Sequence, residues 1–211
     1  MDILAVITEL TSDVSKAGVT LLVKGLLGEQ IEELANVSKR GLRNLGSAVK
    51  TIYDKWQAKN INLEENVKEA DPEILQPILK EVFIGYKSEI LREKWINLLE
   101  SVILGNSVHP RYIETLKLLD TIDANVLNII SEYRKVGNFL NIKSLKGSLQ
   151  QGGLDVQDDM AIDSLFNLVE INLCYVNTLQ GKPTRQDVES GNNVYISDFG
   201  KKFMRLVNGE N

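Results

Sequence analysis

Apolar residues recur along most of the chain at three- and four-residue steps, the spacing of amphipathic helices, and they are densest between residues 88 and 130. There Ile90, Leu91, Trp95, Leu98, Leu99, Val102 and Ile103 form one broad stripe, with Ser88 placed to cap its start and Gly105-Asn106 to supply a left-handed exit. A stripe this wide needs cover on two sides, which puts the helix at the centre of the core. Pro110 fits the first position of a second helix, where a missing N–H costs nothing, and Tyr112, Ile113, Leu116 and Leu119 form its apolar face. Asp120 or Thr121 caps a third helix, with Asp123 in its first turn and Ala124, Leu127 and Ile130 inward.

Toward the N-terminus, residues 2–17 predict a helix with Ile3, Val6, Ile7 and Leu10 on one side, and Gly18 as a candidate interruption. The piece AGVTLLVKGLLG reaches only a dozen residues and carries Lys24, short of the ~20 that a bilayer crossing needs. It predicts a helix covering the core, the alternative being a helix lying on a membrane surface. From Glu29 a longer helix follows, with Ile31, Ala35, Ser38, Leu42, Leu45, Val49, Ile52 and Trp56 at alternating steps of four and three. This is a heptad rhythm, but it lasts fewer than four heptads and contains Gly41 and Gly46, each costing about 1 kcal/mol against Ala. The seam is therefore expected to dock within a bundle or, as a self-association seam, against the same helix of a second copy. Residues 60–71 are polar and acidic, a connector. Asp71-Pro72 opens the next helix, Pro77 kinks or restarts it, and Gly85 with Lys87-Ser88 turns the chain into the central helix.

After Glu132 the pattern changes. A helix over 122–134 gives way to a short β-capable piece (Phe139, Leu140, Ile142), a helical turn over 144–150, a Gly152-Gly153 break, and a helix whose apolar positions are Met160, Ile162, Leu165, Phe166, Leu168 and Val169. Two strands, LCYVNTL and NVYIS, flank the polar segment QGKPTRQDVESGN, read as a long hairpin loop. A last helix, capped by Ser197 or Asp198, presents Phe199, Phe203, Met204, Leu206 and Val207. Three helices and a two-stranded wing are the order of a winged helix-turn-helix. The fold expected is thus mainly α: N-terminal amphipathic helices over 1–60, a central helical bundle over 61–120, and a winged-helix-like module over 121–211 with a small two- to three-stranded β-sheet.

Composition narrows the function classes. The net charge of −5 and pI near 5.1 argue against a chain whose main task is wrapping nucleic acid, leaving only local basic patches. The most basic stretch is Lys39, Arg40 and Arg43 with Lys50, Lys55 and Lys59 beyond it, a solvated helix face or a surface for an anionic partner. One cysteine, Cys174, excludes an intrachain disulfide and reads as a buried structural thiol rather than a reactive one. The start MDILAVITEL lacks a basic n-region and a cleavage site, so a cytoplasmic protein without a transmembrane segment is expected.

Catalytic chemistry has little to work with. One His and one Cys leave no donor set for zinc or for a His-based triad, and no glycine-rich phosphate cradle is present. The acids Glu64, Glu65, Glu69, Asp71 and Glu73 match no calcium loop. No cofactor, metal or small-molecule substrate is expected. His109, ahead of Pro110, reads as a helix-entry residue whose ring caps backbone groups or packs on Trp95; a general base needs an orienting carboxylate and a cleft. In the wing module, the helix that would enter a DNA groove carries Asp158, Asp159, Asp163 and Glu170 with no Lys or Arg, and Lys182 and Arg185 are offset by Asp187 and Glu189. Phosphates would be repelled, so protein contact or dimerisation is expected there in preference to DNA reading.

The run LREKWINLLESVILGNSVHPRYIETLKLLDTIDANVL resembles the signature of the abortive infection alpha family: an aromatic before a double leucine, Val-His-Pro, another aromatic, then an Asp-Ala pair opening a helix. Those positions are Trp95, Leu98, Leu99, Val108, His109, Pro110, Tyr112, Asp123 and Ala124. VYISDFGKKFMRLV is similar to that family's C-terminal pattern, with Phe199, Gly200 and Phe203 in it. The resemblance covers roughly residues 60–207. It implies a setting in bacterial defence against phage, and none of its motifs is catalytic, so the motif residues are expected to be structural. The function expected is a non-enzymatic one exercised through macromolecular contacts. The alternatives are a nucleic-acid-binding regulator using the wing and the basic helix, and a hydrolase built on His109.

Overall fold

The computed structural model describes residues 16–27, 38–135, 142–151, 158–176, 184–189 and 193–210. These residues are mainly helical, with a single two-stranded antiparallel sheet among them near the C-terminus. None of the described helices is long and apolar enough to cross a membrane. The chain divides into two compact units, Met1–Leu116 with Leu206–Asn211, and Lys117–Arg205.

The first unit contains α1 (Lys16–Leu27), α2 (Lys39–Ala58), α3 (Leu63–Asn66), α4 (Pro72–Ile84), α5 (Glu89–Ile103) and most of α6 (Pro110–Leu118). Its core is built by α2 packed on α4, and by α5 packed on both. Every residue of α5 from Lys94 to Ile103 is buried, which makes it the central helix. Local chemistry sets the ends. Ser88 accepts from Leu91 N–H at the start of α5, Asp71 caps α4 with Pro72 at its first position, and Pro77 stays within one continuous helix. At the end of α5, Gly105 takes a φ of +73°, and Asn106 N–H reaches back to Ser101 C=O, closing a Schellman turn that a residue with a Cβ would strain.

Two expectations change in this unit. Gly18 does not interrupt a helix; it lies inside α1, buried where a Cβ would sit 2.3 Å from the Tyr53 ring. The stretch read as a connector contains one helical turn, α3, because the Asn62 side chain accepts from Glu64 N–H. The remainder of the helix expected over 2–17, and the start of the one expected from Glu29, lie outside the described residues.

The second unit contains α7 (Thr121–Lys135), α8 (Ile142–Gln151), α9 (Asp158–Glu170), β1 (Cys174–Val176), α10 (Arg185–Glu189), β2 (Val194–Ile196) and α11 (Asp198–Val207), whose last two residues are counted with the first unit. α9 packs on α7, α8 and β1. In the sheet Cys174 faces Ile196, Tyr175 faces Tyr195 and Val176 faces Val194. Alternation puts Cys174 and Val176 inside and Tyr175 outside, stacked on Tyr195 with ring centroids 5.2 Å apart. Of the β-capable piece, Phe139 and Leu140 lie outside the described residues and Ile142 starts α8.

The polar segment between the strands is not all loop. α10 forms in it because Thr184 and Asp187 cap each other: Asp187 Oδ2 accepts from Thr184 N–H at 2.6 Å and from its hydroxyl at 2.7 Å, and Thr184 Oγ1 accepts from Asp187 N–H at 3.3 Å. These hydrogen bonds, the hydroxyl's first, hold the Asp187 carboxyl below its ordinary pKa. Val188, fully buried, anchors the turn.

Candidate functional site

Two constellations of buried polar groups stand out, one in each unit. In the first, the buried stretch of α5 carries Lys94, Asn97, Glu100 and Ser101 among its apolar residues, all at most 5% exposed. Polar groups taken out of water need partners, and here α2 and the C-terminal residues supply them. Glu100 Oε1 accepts from Trp56 Nε1 at 2.6 Å, and Asn97 Oδ1 accepts from Lys55 Nζ at 2.5 Å. Asn97 Nδ2 donates to Val207 C=O at 2.9 Å, and Lys94 Nζ donates to Asn208 Oδ1 at 2.9 Å. Burial pushes the Lys94 ammonium down to about 8, against the opposing pull of the Glu93 charge. The cluster fastens the last residues of the chain to the central helix. Its sequence signal is the set of polar residues at helical spacing inside the apolar stripe, which the stripe's hydrophobicity hides.

The second constellation is centred on Asp123, 4% exposed at the N-terminus of α7. Asp120 Oδ1 accepts from Asp123 N–H at 2.8 Å, while Asp123 Oδ2 accepts from Asp120 N–H at 3.1 Å, a reciprocal capping box. The same carboxylate also accepts from Ser164 Oγ at 2.7 Å and Asn167 Nδ2 at 2.8 Å, both on α9. Two of these four bonds close the cap and two clasp α7 to α9, and Asp120 is the residue that caps α7.

The other motif residues are placed as follows. Trp95, Leu98, Leu99 and Val108 are buried in the first unit, and Ala124 and Phe203 are fully buried. Phe199 and Tyr112 are half-buried, and Pro110 opens α6 at the surface. His109 is exposed; its Nδ1 accepts from Arg111 N–H at 3.1 Å, and its ring meets Tyr112 edge-on at 6.3 Å. Gly200 sits where a Cβ would be 2.1 Å from Leu173 C=O, so only glycine lets α11 approach the β1 entry that closely. Ser197 starts that helix, accepting from Gly200 N–H at 2.8 Å and donating to Asn172 C=O at 2.6 Å.

From Leu42 to Trp56 the heptad seam is buried within the single chain. Leu42, Leu45, Val49, Ile52 and Trp56 are each at most 1% exposed within a single chain, and Ile31 lies outside the described residues. A second copy could reach those five side chains only by opening the unit, because four-three spacing describes any helix buried along one stripe. On the opposite face, Lys39, Arg40 and Arg43 are exposed.

A groove of about 570 Å³ lies between α1, the end of α2 and α3, bordered by Leu21, Lys24, Tyr53, Gln57 and Glu64 among others, and it includes none of the motif residues. Among the described residues no group of three His, Cys, Asp or Glu is placed to hold a metal ion. Cys174 is a buried free thiol whose pKa burial raises. Arg185 is tied to Asp163 at 2.5 Å, Glu189 at 2.9 Å and Asp159 at 3.8 Å.

A family model described as Abortive infection alpha matches residues 43–207. No curated protein and no solved structure matches the chain.

Proposed function

The chain belongs to the abortive infection alpha family, and from that membership we propose that it defends a bacterial cell against phage without catalysing a reaction, by contacting another macromolecule. The observation that carries this reading is where the motif residues go. Asp123 clasps two helices, Gly200 permits a close backbone approach, Trp95, Leu98 and Leu99 fill the core, and His109 caps the backbone at Arg111. Such residues build a scaffold, and a scaffold acts through its surface. A cytoplasmic setting suits the lone buried thiol.

Within the same proposal the Lys117–Arg205 unit is a winged-helix-like module, supported by the order of α7, α8 and α9 followed by a two-stranded sheet. Its partner is read as protein. Asp159 and Asp163 on α9 hold Arg185, which leaves that cation little freedom to meet a phosphate, and Met160 and Tyr175 offer apolar surface at 46% and 48% exposure.

Plaque counts on cells carrying the gene, with pull-down from infected cells, test this. Fewer plaques with the wild type and with His109→Asn, which keeps a capping acceptor, are expected. Unchanged plaque numbers with the wild type would remove the defence role. Loss of protection by a stably folded His109→Asn protein would overturn the non-catalytic one.

A further inference from the structure

The solvent face of α2 differs in charge from the rest of the molecule. The helix holds five cations, Lys39, Arg40, Arg43, Lys50 and Lys55, against one acid, Asp54, in a chain of net charge −5. Lys55 turns inward to Asn97, and Lys50 lies 4.0 Å from Asp54. Lys39, Arg40 and Arg43 are exposed and make no ion pair among the described residues. Residues 28–37, which include Glu29, Glu32 and Glu33, lie outside the described ones.

A second segment extends the patch. Asn44 Nδ2 donates to Phe83 C=O at 3.1 Å, and a Cβ at Gly85 would lie 3.9 Å from Arg40 Nη2, so the end of α4 is fixed beside the cationic turn. Lys87 follows two residues later, exposed. Arg92 lies one turn into α5, bonded to Ser47 Oγ at 2.9 Å and paired with Glu89 at 2.6 Å.

We propose that this patch, centred on Lys39, Arg40 and Arg43, binds the phosphate backbone of duplex nucleic acid without reading its sequence. Three observations favour that occupant. From Lys39 to Lys50 the helix rises about 16 Å, long enough for its cations to meet several phosphates of a duplex, which carries one charge per roughly 1.7 Å of its axis. The apolar face of α2 is fully buried, and Ile84 beside Gly85 is the only large apolar side chain exposed next to the patch among the described residues, where one such side chain is too little to anchor in a membrane. The one aromatic ring at the turn, Tyr86, is half-buried with the Arg92 guanidinium 5.9 Å over it, which leaves no open platform for stacking unpaired bases.

The inference deepens the contact-based reading by naming one partner class, and it stands or falls separately from plaque protection. The full chain is titrated against a fluorescent duplex in about 50 mM and about 200 mM salt. Three phosphate contacts predict an affinity loss of about 40-fold between those salt concentrations. The triple variant Lys39→Gln, Arg40→Gln, Arg43→Gln is expected to bind at least ~10-fold more weakly at low salt, with an unchanged melting temperature. If the triple variant unfolds, Arg43→Gln alone, at an exposed position, is expected to weaken binding severalfold. Lys202→Gln with Arg205→Gln, exposed on α11, is the control expected to bind normally. No duplex binding at low salt, full affinity in the folded triple variant, or equal loss in the control would overturn the proposal. So would binding to phosphatidylserine-containing vesicles without binding to the duplex.

Discussion

The indole N–H of Trp56, at the end of α2, donates a 2.6 Å hydrogen bond to the carboxylate of Glu100 on α5, and both side chains are buried. An acid inside a helix core is costly unless a donor meets it, and the tryptophan meets it while filling volume with its ring. Removing the donor alone should therefore hurt more than the lost ring area. Trp56→Phe is expected to destabilise the protein by about 2–4 kcal/mol, since a buried acceptor is left without its partner. Adding Glu100→Gln or Glu100→Met to it should recover part of the loss. Urea denaturation of the single and double variants measures the coupling, and additive losses would mean that the two groups act independently.

Gly200 has no room for a side chain. Its Cβ position lies 2.1 Å from Leu173 C=O and 2.9 Å from Ile196 Cγ2, and the first of these is backbone that cannot swing away. Gly200→Ala normally favours a helix by up to about 1 kcal/mol. Here it is expected to cost at least ~2 kcal/mol by forcing α11 off the strand. A thermal melt that rises in the variant would show that the approach is looser than described.

Helix ends were the most legible part of the fold, because a cap is a local agreement among three or four residues: Ser88, Asp71 and Gly105 act where their neighbours in sequence place them. The central position of α5 was legible too, from the width of its stripe. The partners of buried polar groups were not. Trp56 and Glu100 stand 44 residues apart, and nothing local marks either as half of a pair. The heptad spacing of Leu42, Leu45, Val49 and Ile52 could not distinguish a partner helix in the same chain from one in another copy. Thr184 and Asp187 do form a visible capping box, but with Val188 as its only apolar residue α10 is too short to show periodicity. The motif positions could be named from family resemblance, whereas the duty of Asp123 needed α9 brought against it.

Asp123 offers a graded test of that clasp. Asp123→Asn keeps one acceptor but exchanges the other oxygen for a donor: facing Ser164 it obliges the hydroxyl to turn and accept, and facing Asp120 and Asn167 it opposes their N–H groups. It is expected to cost about 1–3 kcal/mol. Asp123→Ala loses all three accepted bonds and leaves a cavity, and is expected to cost more, about 3–5 kcal/mol. Chemical denaturation gives both values, and equal small losses would mean that the helix pair is held by its apolar contacts alone.

Lys94 makes the stability of the first unit depend on pH in a direction that can be worked out. Its pKa is lowered by burial from 10.5 to about 8, so between those values the unfolded chain holds a proton that the folded chain has released. Stability therefore rises with pH through this window and falls as pH drops through the folded value, where the buried amine must carry its charge. From pH 8 to pH 9.5 the gain is about 1.5 kcal/mol. The window stops short of the ionisation of Tyr86, which burial raises to about 12 against an ordinary value of 10.0 and which would act in the opposite sense once the unfolded tyrosine titrates. Lys94→Met keeps most of the aliphatic stem and removes the titrating group. Its unfolding free energy should lose this rise, so that the wild type gains about 1.5 kcal/mol relative to it across the window. Urea titrations of the two proteins at closely spaced pH values decide the matter, and parallel pH profiles would show that the amine keeps an ordinary pKa and that its bond to Asn208 forms at a wetter site than the burial of α5 implies.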